Sequence, residues 1–430
     1  MLKSKKSYLI PVIGFFMIIL IGAIVLYLPI CNYETTSFKD SIFTATAALT
    51  TTCFSKSPIS EQFTFWGQLV IAILMEIGAL GFIIFISYFW SIKDKRLKIS
   101  DMLVINDNIS GDDYAKIKDH SIFIIKMMLS VQILGALLLS IKFISIADNI
   151  FEAIWYGIFH TISAFSNGGY DLLGNSNLTI FSSDIFVQII LIVLMIIGSI
   201  GVFVIEDIIS SIKKKNKHLK VQTKIILSYF IGVIIISTGI IKYLEPNLTL
   251  LNALFLSITS RSTGFSIVST SSLGIETKIV LIISMFIGGA PASAAGGVKL
   301  TVFAITIATI LSTLKGKNET VLFWRKVPTS ITRRAFTIFS LYIFILIIAC
   351  SVFLHYNNID LLAIVFDCVS AITNTGLSLI DYNTINSIGE NILILLMFIG
   401  RAGPLTMVMI FVNEDRKTKF IEYPEENIIL

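Results

Sequence analysis

Arg261-Ser262-Thr263-Gly264-Phe265 is a short polar stretch set in apolar sequence, and its reading decides the fold. The same pattern, small polar residues followed by a small residue and a bulky apolar one, recurs three times. It appears as Thr51-Thr52-Cys53-Phe54, as Ser166-Asn167-Gly168-Gly169-Tyr170 and as Thr373-Asn374-Thr375-Gly376-Leu377. Each copy follows an amphipathic run in which Phe43, Phe159, Leu254 or Phe366 holds the same place relative to the turn. Backbone that is neither helix nor closed barrel survives at membrane depth only where protein buries it or where it lines a water-filled path. Four such segments in one chain point to one pore built from four quarters.

Composition sets the solvent. Of the 430 residues, 55% are hydrophobic and only 14% are charged, far from a soluble average. Apolar runs long enough to cross a bilayer recur along the chain and leave no room for a large soluble domain. The net charge of +5 is informative through its placement. Most Lys and Arg fall at the N-terminus, in 93–118, 213–224, 315–334 and 416–419, while the opposite-side segments hold Lys39, Lys56 and Arg261. The positive-inside rule then places both termini in the cytoplasm of a multi-pass protein of the plasma (inner) membrane. The basic loops are flanked directly by spans, so a nucleic-acid partner is not expected. The first apolar run, Leu9 to Pro29, lacks a small-x-small cleavage site and reads as a retained span rather than a signal peptide.

The quarters share a unit of one span, a half-crossing helix with its polar turn, and a second span. The first runs from Leu9 to about Trp90, with its pore segment at Phe38 to Ser55 and its inner span from Trp66. The second takes Ser121 to Ile146, Phe151 to Tyr170 and Asp184 to Ile205; the third takes Thr223 to Tyr243, Leu250 to Phe265 and Thr277 to about Leu311. The fourth takes Arg334 to Leu354, Ile359 to Leu377 and Ile388 to Val412. A second marker keeps step with the turns: Ile77-Gly78, Ile197-Gly198, Ile287-Gly288 and Ile399-Gly400 follow them at near-equal separations. Helix packing through small residues explains any one of these glycines, but not their shared register. The expected organisation is all-α and pseudo-fourfold: 1–92 as the first repeat, 93–212 as a cytoplasmic loop with the second, 213–316 as the third, 317–413 as the fourth and 414–430 as a cytoplasmic tail.

Several chemistries are set aside. Cys31, Cys53, Cys350 and Cys368 show neither paired spacing nor a CxxC, so no disulfide framework or zinc site is indicated. No Gly-x-Gly-x-x-Gly follows a strand, so the chain has no nucleotide-binding fold of its own. A membrane enzyme is not expected, because no nucleophile with its base and no metal-ligand cluster lies near an interface. A secondary carrier with an occluded midplane site is the alternative transport class, either Na+-selective, Na+/K+ or H+-coupled. A dehydrating cation needs a ring of oxygen ligands, which backbone carbonyls supply, and glycine permits the turn that presents them. A pore helix whose C-terminus faces the path adds partial negative charge. The hydroxyls of Thr50, Thr52, Ser166, Ser262, Thr263, Thr373 and Thr375 add ligands or brace the turns.

At these residues the chain resembles the membrane subunits of the Ktr/Trk/HKT superfamily of potassium transporters, the KtrB type in particular. The resemblance rests on Ala48 to Cys53, Phe159 to Phe165 with Gly169 to Leu172, Arg261 to Phe265, and Val369 to Ala371 with Gly376 to Ser378. It implies four M1-P-M2 repeats around one ion path, with a selectivity filter formed by Thr50, Thr51, Thr52, Cys53; Ser166, Asn167, Gly168, Gly169; Arg261, Ser262, Thr263, Gly264; and Thr373, Asn374, Thr375, Gly376. The run from Ile287 to Lys299 resembles the family's intramembrane gate loop, with Gly288, Gly289, Pro291, Ser293, Gly296, Gly297 and Lys299 as its carriers. Its four glycines, proline and small residues cannot hold a regular helix. Phe398 to Pro404 resembles the fourth inner span, whose Arg401 faces the path and contacts the gate; an Arg in an apolar span is costly and faces a cavity or a partner.

The resemblance further implies passive uptake of K+, with Na+ as the other candidate ion, and no cofactor bound by this chain. It implies a homodimer that meets a cytosolic RCK-type ring, KtrA-like, carrying ATP, ADP or another nucleotide; Glu422 to Glu426 resembles the tail that joins them. Cys53 departs from the KtrB pattern of four glycines, and plant relatives with Ser in the first filter are associated with Na+. Among other residues, Glu76 is an intramembrane carboxylate and hence a functional candidate. His160 reads as hydrogen-bonded packing, Glu206 and Asp207 as solvated, and Lys299 as a tether of the loop or a snorkelling side chain.

Overall fold

The computed structural model describes residues 5–81, 117–213, 218–317 and 319–411. The expectations for Lys3, the end of the first inner span, the basic stretch 93–116 and the tail 414–430 lie outside the described residues. The described chain is mostly helical. Its helices are α1 (Lys5–Tyr27), α2 (Phe38–Leu49), α3 (Ile59–Gln62), α4 (Phe65–Leu80), α5 (Ile117–Phe143), α6 (Ile150–Phe165), α7 (Ile185–Ile200) and α8 (Val202–Lys213). They continue as α9 (Val221–Leu244), α10 (Leu250–Thr259), α11 (Ile275–Phe286), α12 (Leu300–Leu314), α13 (Thr329–Tyr356), α14 (Leu361–Thr373), α15 (Ser387–Ala402) and α16 (Pro404–Phe411). One small hairpin, β1 (Val321–Leu322) with β2 (Arg325–Lys326), was not expected from sequence.

Among the described residues, Ile122–Phe143, Val221–Leu244 and Thr329–Tyr356 are long and apolar enough to cross a bilayer. The long helices expose large apolar side chains, while polar groups are buried around the four turns beside an apolar core. Ile13, Phe16, Ile21, Ile235, Phe344 and Ile347 are exposed on the long helices, whereas Thr52, Ser163, Thr259, Asp367 and Thr373 are fully buried. Most hydroxyl groups at the centre, among them those of Thr52, Thr259 and Thr373, find partners within the protein, as hydrocarbon surroundings demand.

The short helices α2, α6, α10 and α14 sit innermost. Each starts at a polar cap: the side chains of Ser37, Asn149, Thr249 and Asp360 accept from the amides of Asp40, Glu152, Asn252 and Leu362, which fixes the outer end of each helix. Their inner ends stop at the four polar turns. Each helix after a turn packs against the next short helix: α4 on α6, α7 on α10, α11 on α14, and α15 back on α2. The order closes on itself.

The shared register of the Ile-Gly pairs has its reason here. A Cβ on Gly78, Gly198 or Gly400 would run into the carbonyl of Leu49, Phe165 or Ile372, the residues at or next to the ends of α2, α6 and α14. Glycine lets the following helix cross that carbonyl at close range. Three positions later the expectation of continuous inner spans is corrected. Gly81, Gly201 and Gly403 adopt φ of +75°, +88° and +86°, and the pairs α7–α8 and α15–α16 bend by 94° at the last two. Left-handed backbone ends a helix, so the second inner span is two helices, Ile185–Ile200 and Val202–Lys213, and the fourth, as far as it is described, is Ser387–Ala402 and Pro404–Phe411. In the third quarter Pro291 occupies the corresponding place and the break is longer, from Ile287 to Lys299.

Candidate functional site

The four turns meet at the centre in one ring. The helix preceding each turn supplies the reason. Thr52, Gly168 and Thr375 donate their amides to the carbonyls of Ala47, Ser163 and Ser370, at 2.9, 2.8 and 2.9 Å. In the third turn both Thr263 and Gly264 donate to Thr259, at 2.9 and 3.2 Å, so this copy is offset by one residue; correspondingly, Phe255 rather than Leu254 is the buried residue of α10. With the amides tied back to the helix end, the carbonyls of the turns are left free to face elsewhere. Cys53, Gly169, Gly264 and Gly376 all have positive φ, at +57°, +84°, +80° and +96°. Thr51, Asn167 and Asn374 are left-handed as well.

The ring order follows from close approaches. A Cβ on Gly169 would collide with the Thr263 carbonyl, one on Gly264 with the Thr375 carbonyl, and one on Gly376 with the Thr52 carbonyl. Cys53 lies beside Gly168 and completes the circle. Side chains stitch adjacent turns: the Thr263 hydroxyl donates to Asn167 Oδ1 at 2.7 Å, and Asn374 Nδ2 donates to the Thr52 hydroxyl at 3.0 Å. Asn374 also donates to the Met397 carbonyl at 2.9 Å.

The hydroxyls mostly brace. Thr50 bonds to the Thr46 carbonyl at 2.7 Å and meets the Thr52 hydroxyl at 2.9 Å, and Thr373 repeats this with the Val369 carbonyl and Thr375, at 2.7 and 2.8 Å. Ser166 turns back to the Ser163 carbonyl at 3.2 Å. Arg261 points away from the ring. Its guanidinium stacks on Phe230 at 4.3 Å and donates to the carbonyls of Phe230 and Gly288, at 3.3 and 2.9 Å.

The 287–299 segment lies directly against the turns. The Gly296 amide donates to the Ser262 hydroxyl at 2.7 Å, and a Cβ on Gly296 would meet the Thr373 carbonyl. The segment folds on itself through a parallel bridge of Ile287 and Val298, through Gly289 amide to Gly296 carbonyl at 3.3 Å, and through the Ser293 hydroxyl to the Ala290 carbonyl at 2.6 Å. It is held from three sides and by its own Lys299. Ala290 and Ala294 donate to the carbonyls of Ser199 and Gly198, each at 3.0 Å. Tyr342 donates to the Gly297 carbonyl at 3.2 Å, and Lys299 Nζ to the Ala295 carbonyl at 2.6 Å. Arg401 donates to the Ala294 carbonyl at 2.6 Å, to the Thr51 hydroxyl at 3.2 Å and to the Gly78 carbonyl. Beyond the segment lies a cavity of about 840 Å³, lined among others by Pro291, Gly297, Lys299, Arg333 and Arg401.

Residues outside the expected filter and gate hold the ring in place, among them His160, expected as hydrogen-bonded packing, and Asp367, whose role was not expected from sequence. Asp367, fully buried on α14, accepts from the Leu379 amide and from the hydroxyls of Ser378 and Tyr382 at 2.8, 2.8 and 2.9 Å, fixing the chain that leaves the fourth turn. A carboxylate inside an otherwise apolar helix was the available signal. His160 does the equivalent for the second turn, with Nδ1 2.7 Å from the Tyr156 carbonyl and Nε2 accepting from the Leu172 amide at 3.4 Å. Glu390 meets Lys39 and Lys56 at 2.5 and 2.8 Å, and Lys56 also meets Asp40 at 2.5 Å, joining the first and fourth quarters. Glu76 accepts from Gln132 at 3.0 Å. Asp207, expected to be solvated, is buried and accepts from the Lys220 amide at 2.9 Å, because the bend at Gly201 turns α8 back toward the start of α9.

Comparison with known proteins places this geometry. The family model described as TrkH, cation transport protein, matches residues 2–423. The potassium/sodium uptake protein NtpJ of Enterococcus hirae is 31% identical, over 100% of this chain and 99% of its own length. The Ktr system potassium uptake protein B of Bacillus subtilis is 30% identical, over 97% and 95%. Among solved structures, the potassium transporter TrkH from Vibrio parahaemolyticus shares the fold, with a TM-score of 0.76 at 16% identity, covering 96% of this chain and 86% of that one. These relatives are transporters rather than enzymes, and the chain belongs to the TrkH family of cation transport proteins.

Proposed function

We propose that this chain is the ion-conducting subunit of a K+ uptake system, passing K+, and Na+ to an extent set by the ring, down its electrochemical gradient. The observation that carries this reading is the closed order of the four turns, in which glycine after glycine abuts the backbone carbonyl of its neighbour. In this reading the helices form four M1-P-M2 repeats around one pseudo-fourfold path, divided at about residues 92, 212, 316 and 413. The filter residues are Thr50 to Cys53, Ser166 to Gly169, Arg261 to Gly264 and Thr373 to Gly376. They act chiefly through backbone carbonyls that replace the hydration shell of a cation. The names of the two relatives, one for potassium and sodium and one for potassium, support both ions.

The 287–299 segment is the gate. It sits between the ring and the cavity; Arg401 adds a positive charge where a cation would pass, and Lys299 ties the loop to itself through the Ala295 carbonyl. Opening requires the loop to leave the carbonyls that hold it. A cytosolic RCK-type ring whose nucleotide state moves the loop, a homodimeric assembly, a plasma-membrane location and cytoplasmic termini complete the proposal. The Ktr system name of one relative supports a partnered arrangement. An inside-negative potential is worth roughly 2.3 kcal/mol per charge per 100 mV, enough to accumulate a monovalent cation without hydrolysis.

Flux into proteoliposomes under an imposed potential, measured for the whole chain and for a variant lacking 290–296, tests both parts. The expected result is potential-driven K+ entry that rises on deletion and no longer depends on the partner. A flux tied to a proton gradient and indifferent to the potential would sink the channel-like reading, and a deletion without effect would sink the gate.

A further inference from the structure

The ring has four seams, one between each turn and the next. At three of them a left-handed glycine faces a threonine carbonyl: Gly376 faces Thr52, Gly264 faces Thr375 and Gly169 faces Thr263. At the seam between the first and second turns both members are exchanged. Cys53 stands where the other turns have glycine, and Gly168 stands where they have threonine.

Neither residue is explained by its own backbone. Cys53 carries a side chain at φ +57°, a region that side chains rarely adopt. Gly168 lies outside that region, so its backbone would admit a side chain. Its neighbours crowd one: a Cβ built on Gly168 would stand 2.8 Å from Met75 Sδ, 3.0 Å from Cys53 Sγ and 3.3 Å from Ser166 Oγ, so the flexible Met75 side chain would have to shift and the shorter, backbone-anchored Cys53 thiol to give way. The two sulfurs are 3.6 Å apart, and together they fill the place that a side chain at 168 would occupy. Both are shielded, with Cys53 8% and Met75 0% exposed.

We infer that Cys53 and Gly168 are a matched pair in which the thiol is the spacer that sets the separation of the first and second turns, and that the side chain at 53 is admitted because 168 has none. The inference rests on reading the ring as the ion path. Volume at this seam is conserved by exchange: a side chain on one member requires its absence on the other, because close-packed interiors tolerate neither a clash nor a void. Ion preference depends on this pair, since the carbonyls of both turns ride on the same seam.

A double-mutant cycle on the full chain tests it, using Cys53→Gly, Gly168→Ala and the two together. Rb+ uptake is read in cells lacking their own potassium uptake, and thermal unfolding is read on the purified protein. Gly168→Ala lowers uptake at least about tenfold and lowers the unfolding temperature, as overpacking does. Cys53→Gly with Gly168→Ala restores uptake to within about threefold of the starting protein, since loss of the thiol gives the flexible Met75 side chain room to move aside. Cys53→Gly alone lowers the preference for K+ over Na+, because the seam loses its spacer. Should Gly168→Ala fail to accumulate, recovery of folded protein in the double variant supports the pairing, and its absence there too counts against it. Equal damage from Gly168→Ala in both backgrounds, or an unchanged ion preference in Cys53→Gly, overturns the pairing. Unfolding temperatures that remain coupled while the starting protein moves no alkali cation would leave the pair standing and remove the reading of the ring.

Discussion

Arg401 Nη1 lies 2.6 Å from the carbonyl oxygen of Ala294, so a guanidinium on α15 holds the irregular segment that fills the space beside the ring. The same group reaches the Thr51 hydroxyl at 3.2 Å and the Gly78 carbonyl, tying three quarters together. A hydrogen bond to a charged group contributes about 1.5–3 kcal/mol net. Arg401→Ala removes three such bonds and one positive charge from the path. The expected outcome is a lower unfolding temperature together with higher partner-independent K+ flux in proteoliposomes. Flux that stays low without the partner would show that Arg401 has a purely structural role.

The outer cluster makes a different prediction. Glu390, with its side chain 5% exposed, is shared by Lys39 and Lys56, which are 37% and 19% exposed. Breaking a fully buried pair costs about 3–5 kcal/mol, and here the lysines partly reach solvent. Glu390→Gln is therefore expected to cost about 1–2 kcal/mol, read as a lower midpoint in thermal or denaturant unfolding. Burial draws the Lys56 pKa down, but hydrogen bonds and charge from Asp40 and Glu390 outweigh it, leaving it above its ordinary value of 10.5. A raised folded-state value means that this contribution is fully present below 10.5 and fades only as pH climbs through the higher value. The stability that Lys56 contributes is thus flat across neutral pH; a loss confined to mildly alkaline conditions on Lys56→Met, with none at neutrality, would contradict it.

Asp367 is the brace of the fourth turn. Its carboxylate accepts from one amide and two hydroxyls, and Asp367→Asn turns one acceptor oxygen into a donor. The Leu379 amide uses one carboxylate oxygen and the two hydroxyls the other, so the Asn keeps an acceptor for the amide while both hydroxyls lose a charged acceptor and must rotate to accept from Nδ2. The expected cost is about 1–3 kcal/mol, with a fall in maximal K+ uptake larger than for Glu76→Gln. Among the described residues Glu76 accepts a hydrogen bond from Gln132 and makes none to the ring. Equal uptake for the two variants would remove Asp367 from the account.

The sequence made the turns legible because small polar residues followed by a small and then a bulky apolar residue recur four times in one register, which helix packing through small residues does not explain. The Ile-Gly register was equally visible, but its cause was not: only packing puts Gly78, Gly198 and Gly400 against the helix-end carbonyls of the same repeat. Gly81, Gly201 and Gly403 stood in plain view three positions later, yet hydropathy is blind to φ and the spans read as continuous. The Lys39–Lys56–Glu390 cluster joins residues at opposite ends of the chain, which no local pattern encodes. Cys53 looked like an isolated departure until its neighbour across the seam was known to be Gly168 rather than a threonine.

The central claim is that cations pass through the ring of turns, and Gly264 tests it most directly. Gly264 combines φ of +80° with a close approach to the Thr375 carbonyl, so Gly264→Ala must both strain the backbone and displace a ring oxygen. Gly239 on α9, where an added Cβ meets nothing within 4 Å, is the matched control. In potential-driven Rb+ uptake by proteoliposomes, the account predicts a loss of about tenfold or more for Gly264→Ala and wild-type uptake for Gly239→Ala. Wild-type uptake and ion preference in Gly264→Ala, from protein that is folded and reconstituted, would contradict it.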